Sequence, residues 1–238
     1  MSRLFITGDK HGQIDSIVDF VHKAETTLDD VLVILGDAGI NYYQNHKDIQ
    51  IKERLSELPL TIVCIHGNHE VRPQNIPSYH FQTMNNDILA GGFFVEDDYP
   101  NLLFAHRTVF WFYNKRCLVC DGAYSVDKDY RLASGYAWWP DEQMTEQDKA
   151  FVRSVLSLDN KFDFVFSHAA PYSQEPRHLF LGMIDQSTID INTPLFLDEV
   201  YNSINREYLT QWYFGHYHSD EKLPDKFTIL FNSFVQVV

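Results

Sequence analysis

Thiol is scarce: the chain has three cysteines in 238 residues. So small and odd a number does not build a disulfide framework. Cys117 and Cys120 do form a C-x-x-C, in RCLVCDGAY. That segment reads as a strand, however, where residues three apart point to opposite faces, so no zinc or redox pair is expected there. Basic charge is short as well, with 19 Lys and Arg against 33 Asp and Glu and a net charge of −14. The balance opposes tight binding to long nucleic acid or to an anionic membrane. It leaves a small phosphorylated substrate open, because bound metal reverses the sign locally. No apolar run approaches the length of a membrane span. The opening, MSRLFITGDKHG, lacks a long apolar stretch after its arginine and does not read as a secretory signal, so the expected location is the cytoplasm. Repeats, low-complexity tracts and Pro/Gly/Ser linkers are missing too, and one domain over residues 1–238 is the simplest expectation.

What is present is apolar sequence in short pieces. With 45% hydrophobic residues the chain can bury a substantial core. Runs such as RLFITGD, DVLVILGD, LTIVCIHGNHE, RCLVCDGAYS, FDFVFSH and QWYFGHYH predict buried strands. Helical spacing lies between several of them. Gln13–Ala24 puts Ile14, Ile17, Val18 and Val21 on one face, and Glu146–Leu158 does the same with Phe151, Val155 and Leu158 behind a Thr145 cap. The stretch from Phe81 to Tyr124 is strand-rich, and KFTILFNSFVQVV predicts a closing hairpin around Asn232-Ser233. Alternating strands and helices give an α/β class.

Polar residues gather at the strand ends. FITGD runs into Lys10-His11-Gly12, VILGD ends in Asp37, VCIHGNHE in Asn68-His69-Glu70, FVFSH in His168, and WYFGHYH in His216 and His218. Ligands of open α/β sheets bind outside the carboxyl ends of strands. The collected donors are Asp9, His11, Asp37, Asn68, His168, His216 and His218. Carboxylate, amide oxygen and imidazole without thiolate suit Mn, Fe or Zn. Seven donors exceed what one ion takes. If one carboxylate bridges, they serve two divalent ions, and a bridging water acidified to hydroxide becomes a nucleophile near neutral pH.

The motifs GDKHGQ, Gly36-Asp37, GNHE, Ser167-His168 and GHYH resemble the five ordered motifs of the calcineurin-like metallophosphoesterase superfamily, which includes the phosphoprotein phosphatases. The resemblance implies a four-layer α/β/β/α sandwich, two mixed sheets flanked by helices, with the metals at one edge. It implies that Asp9, His11 and His218 hold one ion, that Asn68, His168 and His216 hold the other, and that Asp37 bridges. His69, beside the metals, would protonate the leaving alkoxide or stabilise the transition state. Two divalent ions, Mn²⁺ foremost and Fe or Zn as alternatives, are the implied cofactors.

The chain departs from the protein-phosphatase branch, whose second motif continues with an Asp and an Arg. Ile40 and Asn41 stand there in GDAGINYY. Arg72 and Arg131 are the candidate replacements as phosphate contacts. Trp138 and Trp139 offer either a stacking surface or an anchor for their loop, and Glu70 a support for the GNHE turn. The segment from GAYSVDKDYRL to GYAWWPDEQMT resembles small bacterial and phage-borne metallophosphoesterases. The expected activity is hydrolysis of a phosphate ester, on a small molecule, a nucleotide or a phosphoprotein. A phosphatase leads, a phosphodiesterase or nucleotide hydrolase on the same site is the alternative, and a non-catalytic metal-binding scaffold comes third.

Overall fold

The central strands are short and apolar on both sides because both of their faces are covered. The computed structural model describes residues 2–238. In chain order the strands are β1 (Leu4–Thr7), β2 (Val31–Ile34), β3 (Thr61–Ile65), β4 (His80–Asn85), β5 (Leu89–Val95), β6 (Leu102–Ala105), β7 (Val109–Phe112), β8 (Lys115–Cys120), β9 (Phe164–Ser167), β10 (Gln211–Phe214), β11 (Glu221–Leu223), β12 (Phe227–Ile229) and β13 (Val235–Gln236). The helices are α1 (Asp15–Ala24), α2 (His46–Ser56), α3 (Lys128–Ser134), α4 (Glu146–Leu158) and α5 (Asn192–Ser203).

Two parallel wings form the architecture. One joins β1, β2, β3 and β6, and the other joins β8, β9, β10 and β12. Side-chain alternation divides each wing between two cores. Ile6, Val33, Val63 and Leu103 of the first wing meet Cys117, Val119, Phe164 and Phe166 of the second in a shared central layer. On the outer side of the first wing, Phe5, Leu32, Ile62 and Phe104 pack with Ile17 and Val21 of α1 and Leu55 of α2. On the far side, Leu118, Cys120, Val165 and Trp212 pack with Val152 of α4 and Phe196, Leu197 and Val200 of α5. Three apolar layers between helices, strands, strands and helices make the expected four-layer sandwich. The wings are not separate sheets, however. Antiparallel β5 pairs with both β6 and β7, and β7 with β8, so one curled sheet folds over on itself. Cys117 and Cys120 sit in different layers as unpaired thiols, which excludes a local redox pair.

Helix α4 begins where its cap predicts: Thr145 Oγ1 accepts from Asp148 N and the Asp148 carboxylate accepts from Thr145 N. The expected C-terminal hairpin does not form. β12 runs parallel to β10, while β13 is antiparallel to β1 in the other wing. Asp220 explains the crossing, since its carboxylate accepts from the backbone N–H groups of Phe231, Asn232 and Ser233 and consumes the donors a hairpin would need. Asn232-Ser233 thus carries the chain from one wing to the other, where Thr7 Oγ1 donates to Ser233 O. Among the described residues, no helix is long and apolar enough to cross a membrane.

Candidate metal centre

The carboxyl ends of β1, β2, β3, β9 and β10 meet at one edge of the sandwich and deliver all seven expected donors. Asp9, His11 and His218 place one ligand atom each within 4.8 Å of one another, and so do Asp9, Asp37 and His168. Asp9 belongs to both groups, whereas the family resemblance gives the shared place to Asp37. Asn68 joins the second group: its Oδ1 lies 2.8 Å from His168 Nε2 and 3.1 Å from His216 Nδ1.

Local backbone makes this convergence possible. His11, Asp37, His216 and His218 all adopt positive φ, between 46° and 67°, a conformation that costs of order 1 kcal/mol or more for a side-chain-bearing residue. Glycines give the carboxylates room. A β-carbon at Gly67 would collide with Asp37 Oδ1, and one at Gly215 with Asp9 Oδ1. The same two oxygens are held by neighbouring turns, Asp37 Oδ1 by His69 N at 2.8 Å and Asp9 Oδ1 by His216 N at 3.0 Å. The other oxygens face inward. Asp9 Oδ2 is buried with no hydrogen-bond partner, with His218 Nε2 3.3 Å away. His11 Nε2 and His218 Nε2 point at each other across 3.1 Å. Lone pairs aimed at a common point, with one buried oxygen unanswered, are a donor set that fits divalent cations.

The charge balance agrees. Burial opposes ionisation of Asp37 and Asp9, but the His168 imidazolium outweighs it and holds both carboxyls below their usual range. Burial opposes that imidazolium too, yet Asp37 and Asp9 lift its pKa to about 9. His216, buried beside the charged His168, is pushed down to about 3. Glu70, beneath the turn, is lifted to about 8 by burial and by Asp37, so it stays protonated and accepts from Gly67 N as a neutral strut. Burial keeps His69 below its usual value despite Asp37.

Several expected residues have other duties. Arg72 is fully buried and does not face the centre. Its guanidinium donates to the backbone oxygens of Asp141 (2.6 Å) and Gln143 (2.7 Å) and lies 3.6 Å from Asp121 and 3.5 Å from Asp148. It clamps the GNHE turn to the start of α4 rather than meeting phosphate, because the aspartates beneath the turn neutralise it. Asn41, where the protein phosphatases carry arginine, is buried with its amide on the Tyr79 hydroxyl. Arg131 does reach the centre: with Tyr42, His11 and His69 it lines a small pocket of about 190 Å³. Asp127 (2.9 Å) and the Tyr42 hydroxyl (3.2 Å) hold its guanidinium. Trp138 serves as an anchor, donating from Nε1 to Glu142 Oε2 at 2.8 Å, and Trp139 packs edge-on against Tyr42.

Ser125 and Glu142 are the pair that sequence reasoning overlooks. Asn68 Nδ2 donates to Ser125 Oγ at 2.9 Å, and Ser125 Oγ donates to Glu142 Oε2 at 2.6 Å. A hydroxyl committed to the carboxylate presents only lone pairs to the amide. The Asn68 nitrogen is therefore drawn toward Ser125 and its oxygen is left for the cation side. Both partners are buried. The strand-end rule, extended to β8, points at Asp121–Ser125 and would have found the serine.

Comparison with known proteins places the fold. A family model described as calcineurin-like phosphoesterase matches residues 2–220. No curated protein matches the chain. Among solved structures, the crystal structure of TT1561 of Thermus thermophilus superposes with a TM-score of 0.52 at 13% identity, covering 97% of this chain and 89% of that one. At that identity the likeness concerns the fold alone.

Two measurements probe the surroundings of the centre. Replacing Ser125 by Ala should weaken Mn²⁺ binding, measured by calorimetry, about 10–100-fold, with Ser125→Thr recovering part of it; unchanged affinity would remove the serine from this role. Glu175, on the wall of the adjoining cleft, is pushed up to about 7 by burial, against Arg177 and with Asp198 adding to the rise; the Tyr217 hydroxyl also faces it. The folded state thus holds this proton more tightly than the unfolded chain does, and stability falls as pH rises from 4.5 to about 7. After discounting for partial exposure, Glu175→Gln should raise the unfolding free energy in urea by about 1–2 kcal/mol at pH 8 and leave it unchanged near pH 4.

Proposed function

The chain belongs to the calcineurin-like phosphoesterase family, a family of metal-dependent phosphoester hydrolases, and from that premise we propose that it is a phosphatase with a two-ion centre. The observation that carries this reading is a pair of donor groups sharing Asp9, one with His11 and His218 and one with Asp37 and His168, with Asn68 and His216 beside the second and Asp9 Oδ2 buried without a hydrogen-bond partner. Asp9, His11 and His218 would hold one cation and Asn68, His168 and His216 the other, with Asp37 between them. Mn²⁺ is the first choice, and the same donors suit Fe or Zn. Bound there, the cations supply Lewis acidity that acidifies water and offsets phosphoryl charge.

The side chains around the donors do the rest. Arg131, preset by Asp127 and Tyr42, offers its guanidinium to a phosphate oxygen. His69 is neutral in the free protein. A phosphate dianion beside it favours the imidazolium. As the water oxygen bonds to phosphorus and the ester P–O bond breaks, His69 gives its proton to the departing oxygen. A second reading, a phosphodiesterase or nucleotide hydrolase, draws on one observation: Asn41 is tied to Tyr79 in place of a phosphate-clamping arginine, so less charge is available to bind a monoester dianion. The complete donor set weighs against a non-catalytic scaffold.

Asp37→Ala should abolish both metal retention, by elemental analysis, and hydrolysis of p-nitrophenyl phosphate. His69→Ala should lower turnover about 10²–10⁴-fold while metal content persists; equal metal loss in the two variants would contradict the role given to His69. With Mn²⁺ present, p-nitrophenyl phosphate should be hydrolysed faster than its bis-ester, and the reverse order would install the diesterase reading.

A further inference from the structure

A second, much larger cleft of about 1060 Å³ opens on the other side of His69. Asp37, Asn68, His69, His216 and His218 form its floor, so whatever fills it touches the candidate centre. Its far wall comes from the long segment between β9 and α5, which has only three short 3₁₀ turns. That wall is mostly apolar: Leu179, Phe180, Leu181, Ile184 and Ile189 line it along with Gln186 and Ser187, with Val126 opposite. Phe180 stacks on Tyr217, between the two histidines of GHYH, at 6.3 Å and 9°. Leu181 is 58% exposed. It is the contiguous group of apolar side chains, not one leucine, that marks this wall as a binding surface.

Charge in the cleft lining is sparse and mostly acidic. Asp127 pairs with Arg131, Asp190 accepts from Gln143 Nε2 and Asn192 N, and Arg177, the single Lys or Arg of the lining, lies over Tyr172 beside Glu175. Arg177 is thus the single side-chain cation of the lining, set against Asp37, Asp127, Glu175 and Asp190. A nucleotide's further phosphates or an acidic peptide would meet carboxylates and apolar carbon. Drug-sized ligands occupy clefts of roughly 300–1,000 Å³, so the space exceeds the needs of a phosphoryl group with a small alcohol.

We propose that this cleft seats the alcohol portion of the phosphate ester, and that this portion is bulky, apolar and uncharged. The proposal rests on the phosphatase reading above and narrows it to a substrate class. The test compares ethyl phosphate with 2-(2-naphthyl)ethyl phosphate on the Mn²⁺-loaded protein, since both leave as alkoxides of similar basicity. kcat/KM should favour the naphthyl ester by at least about tenfold, the least a well-fitted apolar pocket gives. Leu181→Asp and Ile184→Asp should pull that ratio toward unity. Equal rates for the two esters, or preference for adenosine 5′-monophosphate over the naphthyl ester, would overturn the proposal. The matching phosphonates, which do not turn over, separate the two ideas. If neither ester is hydrolysed but calorimetry shows tighter binding of the naphthyl phosphonate, the cleft assignment stands and the phosphatase reading alone falls. Equal binding of the two phosphonates then rejects the cleft as well.

Discussion

Two carboxylates brought together out of water set the terms for everything at this edge of the sandwich. Unit charges about 4 Å apart repel by roughly 4 kcal/mol even at an effective dielectric of 20, and burial adds a desolvation cost to each. Asp9 and Asp37 are both almost fully buried. The protein answers in two ways. One oxygen of each is fixed by a backbone N–H from another turn, His216 for Asp9 and His69 for Asp37. The other oxygen of each faces an imidazole: Asp37 Oδ2 lies 3.5 Å from His168 Nε2, and Asp9 Oδ2 lies 3.3 Å from His218 Nε2. The protein's own contacts therefore fix the geometry of the centre, and two carboxylates so close together attract a divalent ion.

That preparation explains why the backbone is irregular just where the strands end. His11, Asp37, His216 and His218 take conformations that most residues avoid, and the surrounding contacts must impose them. His168 is the clearest case of such contact. Its ring leaves no room for a β-carbon at Gly36, and its Nδ1 donates to Leu35 O, 2.7 Å away, in the opposite wing. A single imidazole thus links β9 to β2 across the sandwich. Packing of the central layer, where Ile6, Val33 and Val63 of one wing meet Val119, Phe164 and Phe166 of the other, holds the two wings at the spacing this link requires.

The parts of the structure that were readable in the sequence are those governed by local rules. Strand periodicity located β1, β2, β3, β9 and β10, and with them each polar ending, because a strand buried on both faces has few polar residues until it leaves the sheet. Thr145 marked the start of α4 through a three-residue capping pattern. The failures have long-range causes. Asp220 diverts the C-terminal segment from a hairpin by taking N–H groups about a dozen positions onward. Arg72 follows GNHE closely, yet its fate is decided by Asp121, Asp141 and Asp148, and nothing local reveals them. Ser125 stands 57 positions from the amide it orients. Two parallel wings also look like two sheets in sequence, because the antiparallel β5 and β7 that fuse them carry no special signal.

His69 occupies the boundary between two unlike spaces. On one side Arg131 and Tyr42 make a small polar recess, and on the other residues 179–191 make a wide apolar one. A phosphate ester has the same division, with a charged phosphoryl group and an organic remainder joined at one oxygen. A side chain proposed to protonate that oxygen must touch both halves, and His69 lines both spaces. The overall charge of −14 fits this arrangement. Long-range attraction does not gather anions onto such a surface, so on the proposed reading selection would depend on contact: cations for the phosphoryl end and apolar carbon for the other.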